Sequence, residues 1–103
     1  PKHQWWVPSA YGVALHLVGR KEEAIASFKK AIALKSNHVH PHAFLTAVYA
    51  DLGRIDEAKA TANKIMRLDP KFTATRFMQS HSLHDPARDA RFKGLMLRAG
   101  LPE

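Results

Sequence analysis

An all-α helix–turn–helix solenoid, two repeats closed by C-terminal capping helices, is the fold this 103-residue sequence predicts. Three observations predict it. The chain matches itself at an offset of 34 residues, each copy carries apolar residues at helical spacing interrupted by a glycine, and the period stops after Asp69-Pro70, where a charged amphipathic stretch takes over. In the match, Gly19, Arg20, Glu23, Ala24, Ala26, Lys30 and Leu34 meet Gly53, Arg54, Glu57, Ala58, Ala60, Lys64 and Leu68, seven identities over the eighteen positions from Gly19 to Ser36. A fixed period of this size marks stacked supersecondary units.

Each element follows in order. Ala10 to Val18 is apolar at helical spacing and stops at Gly19, a residue free to take the left-handed conformation that ends a helix. Lys21 to Leu34 gathers Ala24, Phe28, Ala31 and Ile32 on one stripe and most of its charges elsewhere, which predicts a half-buried amphipathic helix. The second unit starts at Pro41, suited to a first helical turn, and runs to Gly53. It continues from Asp56 to Leu68 with Ala58, Ala62, Ile65 and Met66 inward. Large and small residues trade places between the units: Phe28 with Ala31 becomes Ala62 with Ile65, which roughly conserves core volume. A short helix is expected near Phe72 to Gln79. The closing helix runs from Pro86 to Ala99, with Asp85 as its N-cap, Phe92, Leu95, Met96 and Ala99 on one face and Gly100 as its stop. A divergent, charged end unit is what a solenoid needs where no neighbour covers it.

Composition narrows the function. A chain of this length buries about 65% of its unfolded surface, enough for one modest core. A barrel of roughly 250 residues is excluded. With no cysteine, disulfide frameworks, thiolate zinc sites, iron–sulfur clusters and cysteine nucleophiles are excluded too, and a reducing cytoplasm suits the chain. The apolar runs are far short of the ~20 residues that span a bilayer, and no signal peptide opens the chain. The chain opens at Pro1 without an initiator Met, a start that fits removal of Met before Pro and, equally, a piece cut from something longer.

The 34-residue unit resembles the tetratricopeptide repeat, TPR, on Gly12, Leu15, Gly19, Ala24, Phe28 and Ala31, then Leu45, Tyr49, Gly53, Ala58 and Pro70. Pro8 and His42 stand where the family has an aromatic anchor. The ends carry a narrower resemblance. Trp5-Trp6, the run from Leu17 to Ile25, and above all His84-Asp85-Pro86 through Ala99-Gly100-Leu101-Pro102-Glu103 are similar to the C-terminal TPR region of alphaproteobacterial class III adenylate/guanylate cyclases. That resemblance implies a regulatory or scaffolding tail of a larger bacterial signalling protein, with one TPR domain over 1–103: a first repeat at about 5–38, a second at about 39–72 and a cap at about 73–103. The TPR resemblance implies that ligands meet the first helix of each pair, which here gives Ser9, Val13, His16, His40, Ala43, Ala47, Ala50 and Asp51 as groove residues. The carboxylate clamp of chaperone-binding TPRs is not reproduced, because Ser9, Val13, Ala43 and Ala47 stand at its positions; an apolar or helical segment is favoured.

Catalysis finds no support among these residues. The acidic residues concentrate in helix starts and turns, the serines lie in no nucleophile motif, and no glycine-rich phosphate loop or cyclase motif occurs. His38, His40 and His42 alternate between the repeats, and His81 and His84 are three apart, but a solvated loop and helix entry is favoured over a metal site; no metal and no cofactor are assigned. The net charge of +7 raises nucleic acid as a partner, with Lys29, Lys30, Lys35, Lys59, Lys64, Arg67 and Lys71 as the basic stripe. Stacking aromatics are not interleaved with that stripe, so a solvated convex face is favoured. Trp5 and Trp6 are the interface candidates, through packing on the first repeat or on repeats before it, or as a ligand patch. A protein or peptide partner, which another domain of the same protein could supply, thus stands beside self-association as a homodimer, with nucleic acid third.

Overall fold

The computed structural model describes residues 4–103, which form six helices: α1 (Trp6–Leu17), α2 (Lys21–Leu34), α3 (Val39–Asp51), α4 (Ile55–Leu68), α5 (Ala74–Ser80) and α6 (Pro86–Arg98). Helices α1 and α2 pack as one antiparallel pair, α3 and α4 as the next, and α2 lies against α3, joining the pairs. Among the described residues there is no strand, and the all-α helical repeat architecture is the one the 34-residue period predicts.

Both tight turns use one device. Gly19 and Gly53 have φ of +86° and +76°, and the next residue folds back so that the Arg20 amide donates to the Leu15 carbonyl at 2.9 Å, as Arg54 does to Tyr49 at 2.9 Å. The left-handed residue lets the chain reverse while orphan carbonyls at the helix end stay bonded. A following acid then closes each turn, Arg20 meeting Glu23 and Arg54 meeting Glu57.

Several helix starts differ from those expected. The first helix begins at Trp6, four residues before the expected Ala10, because Pro8 falls in its first turn, where no helical N–H is required. The short helix begins at Ala74, two residues after the expected Phe72, where the Thr73 hydroxyl accepts the Arg76 amide at 3.2 Å. Asp85 caps α6, accepting the Ala87 and Arg88 amides at 3.0 and 3.3 Å.

The exchange of large and small residues has a geometric cause. Phe28 is wholly buried, and a Cβ on Gly12 would stand 2.8 Å from its ring. One unit therefore pairs Gly12 with Phe28. In the next, Thr46 and Ala62 occupy the matching positions and both are buried, the hydroxyl of Thr46 donating to the His42 carbonyl at 2.8 Å.

Phe44 on α3 is the centre of the core. Its ring faces Phe28 of α2 at 6.2 Å, Phe77 of α5 at 5.4 Å and Phe92 of α6 at 5.2 Å, so four helices meet there. The C-terminal residues complete the cap: the Ala74 and Thr75 amides donate to the carbonyls of Pro102 and Glu103 at 2.9 and 3.1 Å, and Leu101 is buried. This backbone strap satisfies two amides that begin α5.

Candidate functional site

The eight groove residues of the sequence reading lie on α1 and α3, but they do not line an open groove. Ser9, Ala43, Ala47 and Ala50 have no exposed surface, His16 is buried, and Val13 and His40 are half-buried. Every residue of α3 from Pro41 to Ala50 is buried, enclosed by α2, α4 and α6. The reason is α6. It packs across α3 and reaches the last turn of α1, where Phe92 meets the His16 ring edge-on at 4.9 Å. The apolar face of α6 was legible in the sequence; the surface it would cover was not.

Asp51 ties this region together. Its carboxylate accepts from His16 Nε2 at 2.8 Å, Lys21 Nζ at 3.1 Å and Arg91 at 2.7 Å, joining α3 to α1, α2 and α6, with only 9% of the side chain exposed. Burial works to raise its pKa, but hydrogen bonds from His16 and Lys21 and the Arg91 charge outweigh it and hold the carboxyl below its ordinary value. His16 is held below the usual histidine range by burial, against the pull of Asp51, and its Nδ1 has no partner.

The alternating histidines diverge. His38 stacks on Trp5 with centroids 4.1 Å apart. His40 shares a 2.6 Å hydrogen bond with the Ser9 hydroxyl and sits between Phe44 at 4.9 Å and His81 at 5.0 Å. Burial, then the charges His81 and His38 would carry, push its pKa down to about 4. His42 is buried and its Nε2 donates to the Ser36 carbonyl at 2.8 Å. Among the described residues no group of three or more His, Asp or Glu is arranged to hold a metal. A hollow of about 460 Å³ borders this aromatic cluster, with Lys71 and Arg76 on its wall.

Trp5 is half-buried against His38, whereas Trp6 is 58% exposed. Trp6 belongs to a larger surface. Val7, Tyr11, Ala14 and Val18 recur at intervals of four, three and four along α1 and all face solvent, with Val18 70% exposed. Between this stripe and α2 runs a cleft of about 510 Å³, walled by Val7, Pro8, Tyr11, Ala26 and Lys30. None of these stripe residues is among the groove residues expected on α1, which are Ser9, Val13 and His16. The matching residues Pro41, Leu45 and Val48 are buried in α3, which packs against α2, and no helix precedes α1 among the described residues.

The basic side chains Lys29, Lys30, Lys35, Lys59, Lys64, Arg67 and Lys71 are all exposed, mainly on the second helix of each pair. No helix among the described residues is long and apolar enough to cross a membrane.

Comparison with known proteins agrees with this geometry. A family model described as tetratricopeptide repeat matches residues 16–76, more than half of the chain and spanning the pairing of α2 with α3 and α4. No curated protein matches the chain.

Proposed function

The chain belongs to the tetratricopeptide repeat family, whose repeats generally mediate protein–protein interaction, and from that premise we propose that it is a non-catalytic interaction and regulatory module. It works through the outer face of α1. The observation that carries this reading is the solvent-facing stripe of Val7, Tyr11, Ala14 and Val18 with Trp6 at its start. Large exposed apolar patches on soluble folds mark interaction surfaces. The inward face of α3, by contrast, is filled by the chain's own cap.

The context proposed is the cytoplasmic C-terminal tail of a bacterial signalling protein such as a nucleotide cyclase, supported by the resemblance of Trp5-Trp6 and of the segment from His84 to Glu103. A cyclase domain encoded ahead of Pro1 supports this context, and a gene without one discards it. Self-association through the same face is the second reading, favoured by the absence of Asp, Glu, Lys and Arg from α1.

A benzophenone amino acid placed at Val18 tests the surface. Irradiation in the native host should yield one dominant adduct, identified by mass spectrometry as another protein, a preceding segment of the same polypeptide or a second copy. Uncrosslinked chain alone, with a photoprobe at exposed Lys59 equally silent, would overturn the reading.

A further inference from the structure

We infer that the outer face of α1 docks an amphipathic helix of a partner protein, one with an apolar stripe for Val7, Tyr11, Ala14 and Val18 and a carboxylate in its first turn for Arg20. This rests on the reading of α1 as the interaction surface and specifies what occupies it.

The molecule contains its own template. Shifted by one repeat, the face of α1 becomes the face of α3, with Val7, Tyr11, Ala14 and Val18 replaced by Pro41, Leu45, Val48 and Leu52. Helix α2 packs against α3, and Pro41, Leu45 and Val48 are buried, whereas Val7 and Tyr11 remain 48% and 58% exposed. Two surfaces of one repeat design thus differ in having an occupant. The occupant that fits is a helix built like α2, which carries Ala24, Ile25 and Phe28 buried and keeps Lys29 and Lys30 outward.

Charge specifies the fit further. Arg54 in the second repeat binds two carboxylates: Glu57 on its own helix at 2.6 Å, and Glu22 from the first turn of the seated α2 at 3.3 Å. Arg20 is its counterpart one repeat earlier. It binds Glu23 at 2.7 Å, the counterpart of Glu57, and no acid among the described residues stands where Glu22 stands for Arg54. An incoming helix with an acid in its first turn completes that pattern, and an acid there also suits the N-terminal helix dipole.

The same chemistry argues against a second copy. In an α1–α1 pair neither helix could offer Arg20 of its neighbour an acid, since α1 has none, and two chains of net charge +7 would be brought together. The α2 of a second copy is already committed to its own α1 and α3.

The probe is a synthetic peptide of residues 20–35, stapled across solvent-facing positions and shown to be helical by circular dichroism, titrated into the full chain while amide shifts are followed by NMR. Saturable one-to-one binding is expected, with shifts concentrated on α1. The Tyr11→Lys/Val18→Lys chain, checked for an unchanged circular dichroism spectrum, should bind at least tenfold more weakly. Arg20→Glu should weaken binding about two- to fivefold, the scale of one exposed ion pair, and a peptide carrying Glu22→Lys should restore it. Binding that ignores both the stripe and Arg20 overturns the inference. If the peptide fails and the chain sediments as a dimer that Tyr11→Lys/Val18→Lys dissolves, the occupant is a second copy: the partner helix is wrong and the interaction surface stands. A monomer that binds no peptide removes both.

Discussion

At the scale of single residues, two positions set sharp expectations. Glycine inside a helix costs about 1 kcal/mol relative to alanine, so Gly12→Ala would ordinarily stabilise α1. Here the added methyl meets the Phe28 ring at 2.8 Å in a fully buried site. Overpacking dominates: Gly12→Ala should destabilise by about 1–3 kcal/mol in urea unfolding. In a Phe28→Leu background the same change should become neutral or favourable, and if it costs as much there the ring is not the cause. His40 supplies the second expectation. Its pKa falls from an ordinary 6.5 to about 4 on folding, so the unfolded chain binds a proton that the folded chain refuses. Its contribution to stability is therefore complete above pH 6.5 and is lost as pH falls from there to about 4, a change of roughly 2–3 kcal/mol. Lowering pH from 7 to 4.5 should depress the melting temperature, and His40→Gln should flatten that slope without abolishing it, because burial holds His16 and His42 down as well. An unchanged slope in His40→Gln would remove His40 from the account.

At the scale of elements, the second helix of each pair was the legible part. The expected limits of α2 match the observed Lys21–Leu34, and those of α4 differ by one residue, because an amphipathic stripe that follows a glycine turn is a local signal. Helix α3, on which His40, Ala43, Ala47, Ala50 and Asp51 are the expected groove residues, is apolar nearly all round, and a helix of that kind is enclosed. What encloses it is α6, and the side of the solenoid on which a capping helix settles depends on Phe44, Phe77 and Phe92 meeting across more than 30 residues of sequence, which no local pattern encodes. The latch at Asp51 tests this placement. Asp51→Ala strands the buried His16 Nε2 and releases Lys21 and Arg91 together, and should cost about 1–3 kcal/mol. Arg91→Ala removes a 60% exposed partner and should cost less than about 1 kcal/mol. Comparable losses from the two would mean that the carboxylate is held mainly by Arg91 and not by its buried contacts.

At the scale of the whole molecule, the two ends of the stack differ. The exposed stripe on α1 was hidden from the sequence for a simple reason: Val7, Tyr11, Ala14 and Val18 read as core, and only the assembled fold shows that no described element covers them. The far end is different chemistry. Where α2 offers the buried Ile25 to the next pair, α4 offers the exposed Lys59 at the matching position, and α5 and α6 are bound together by the strap from Pro102 and Glu103. Stability in a repeat stack is close to a sum of unit and interface terms, so growth should be favourable at one end only. A second copy of residues 5–38 inserted ahead of Trp5 should seat its α2 on the native α1 and cover Val7, Tyr11 and Val18. Covering them should add roughly 2–4 kcal/mol at about 25 cal/mol per Å², with a larger urea m-value because more surface is exposed on unfolding. The same unit appended after Glu103 meets no apolar stripe of this kind and should leave the midpoint of the original chain unchanged, unfolding as a separate, weaker transition. Equal gains at both ends would mean that the exposed face of α1 is no more a docking surface than the rest of the molecule.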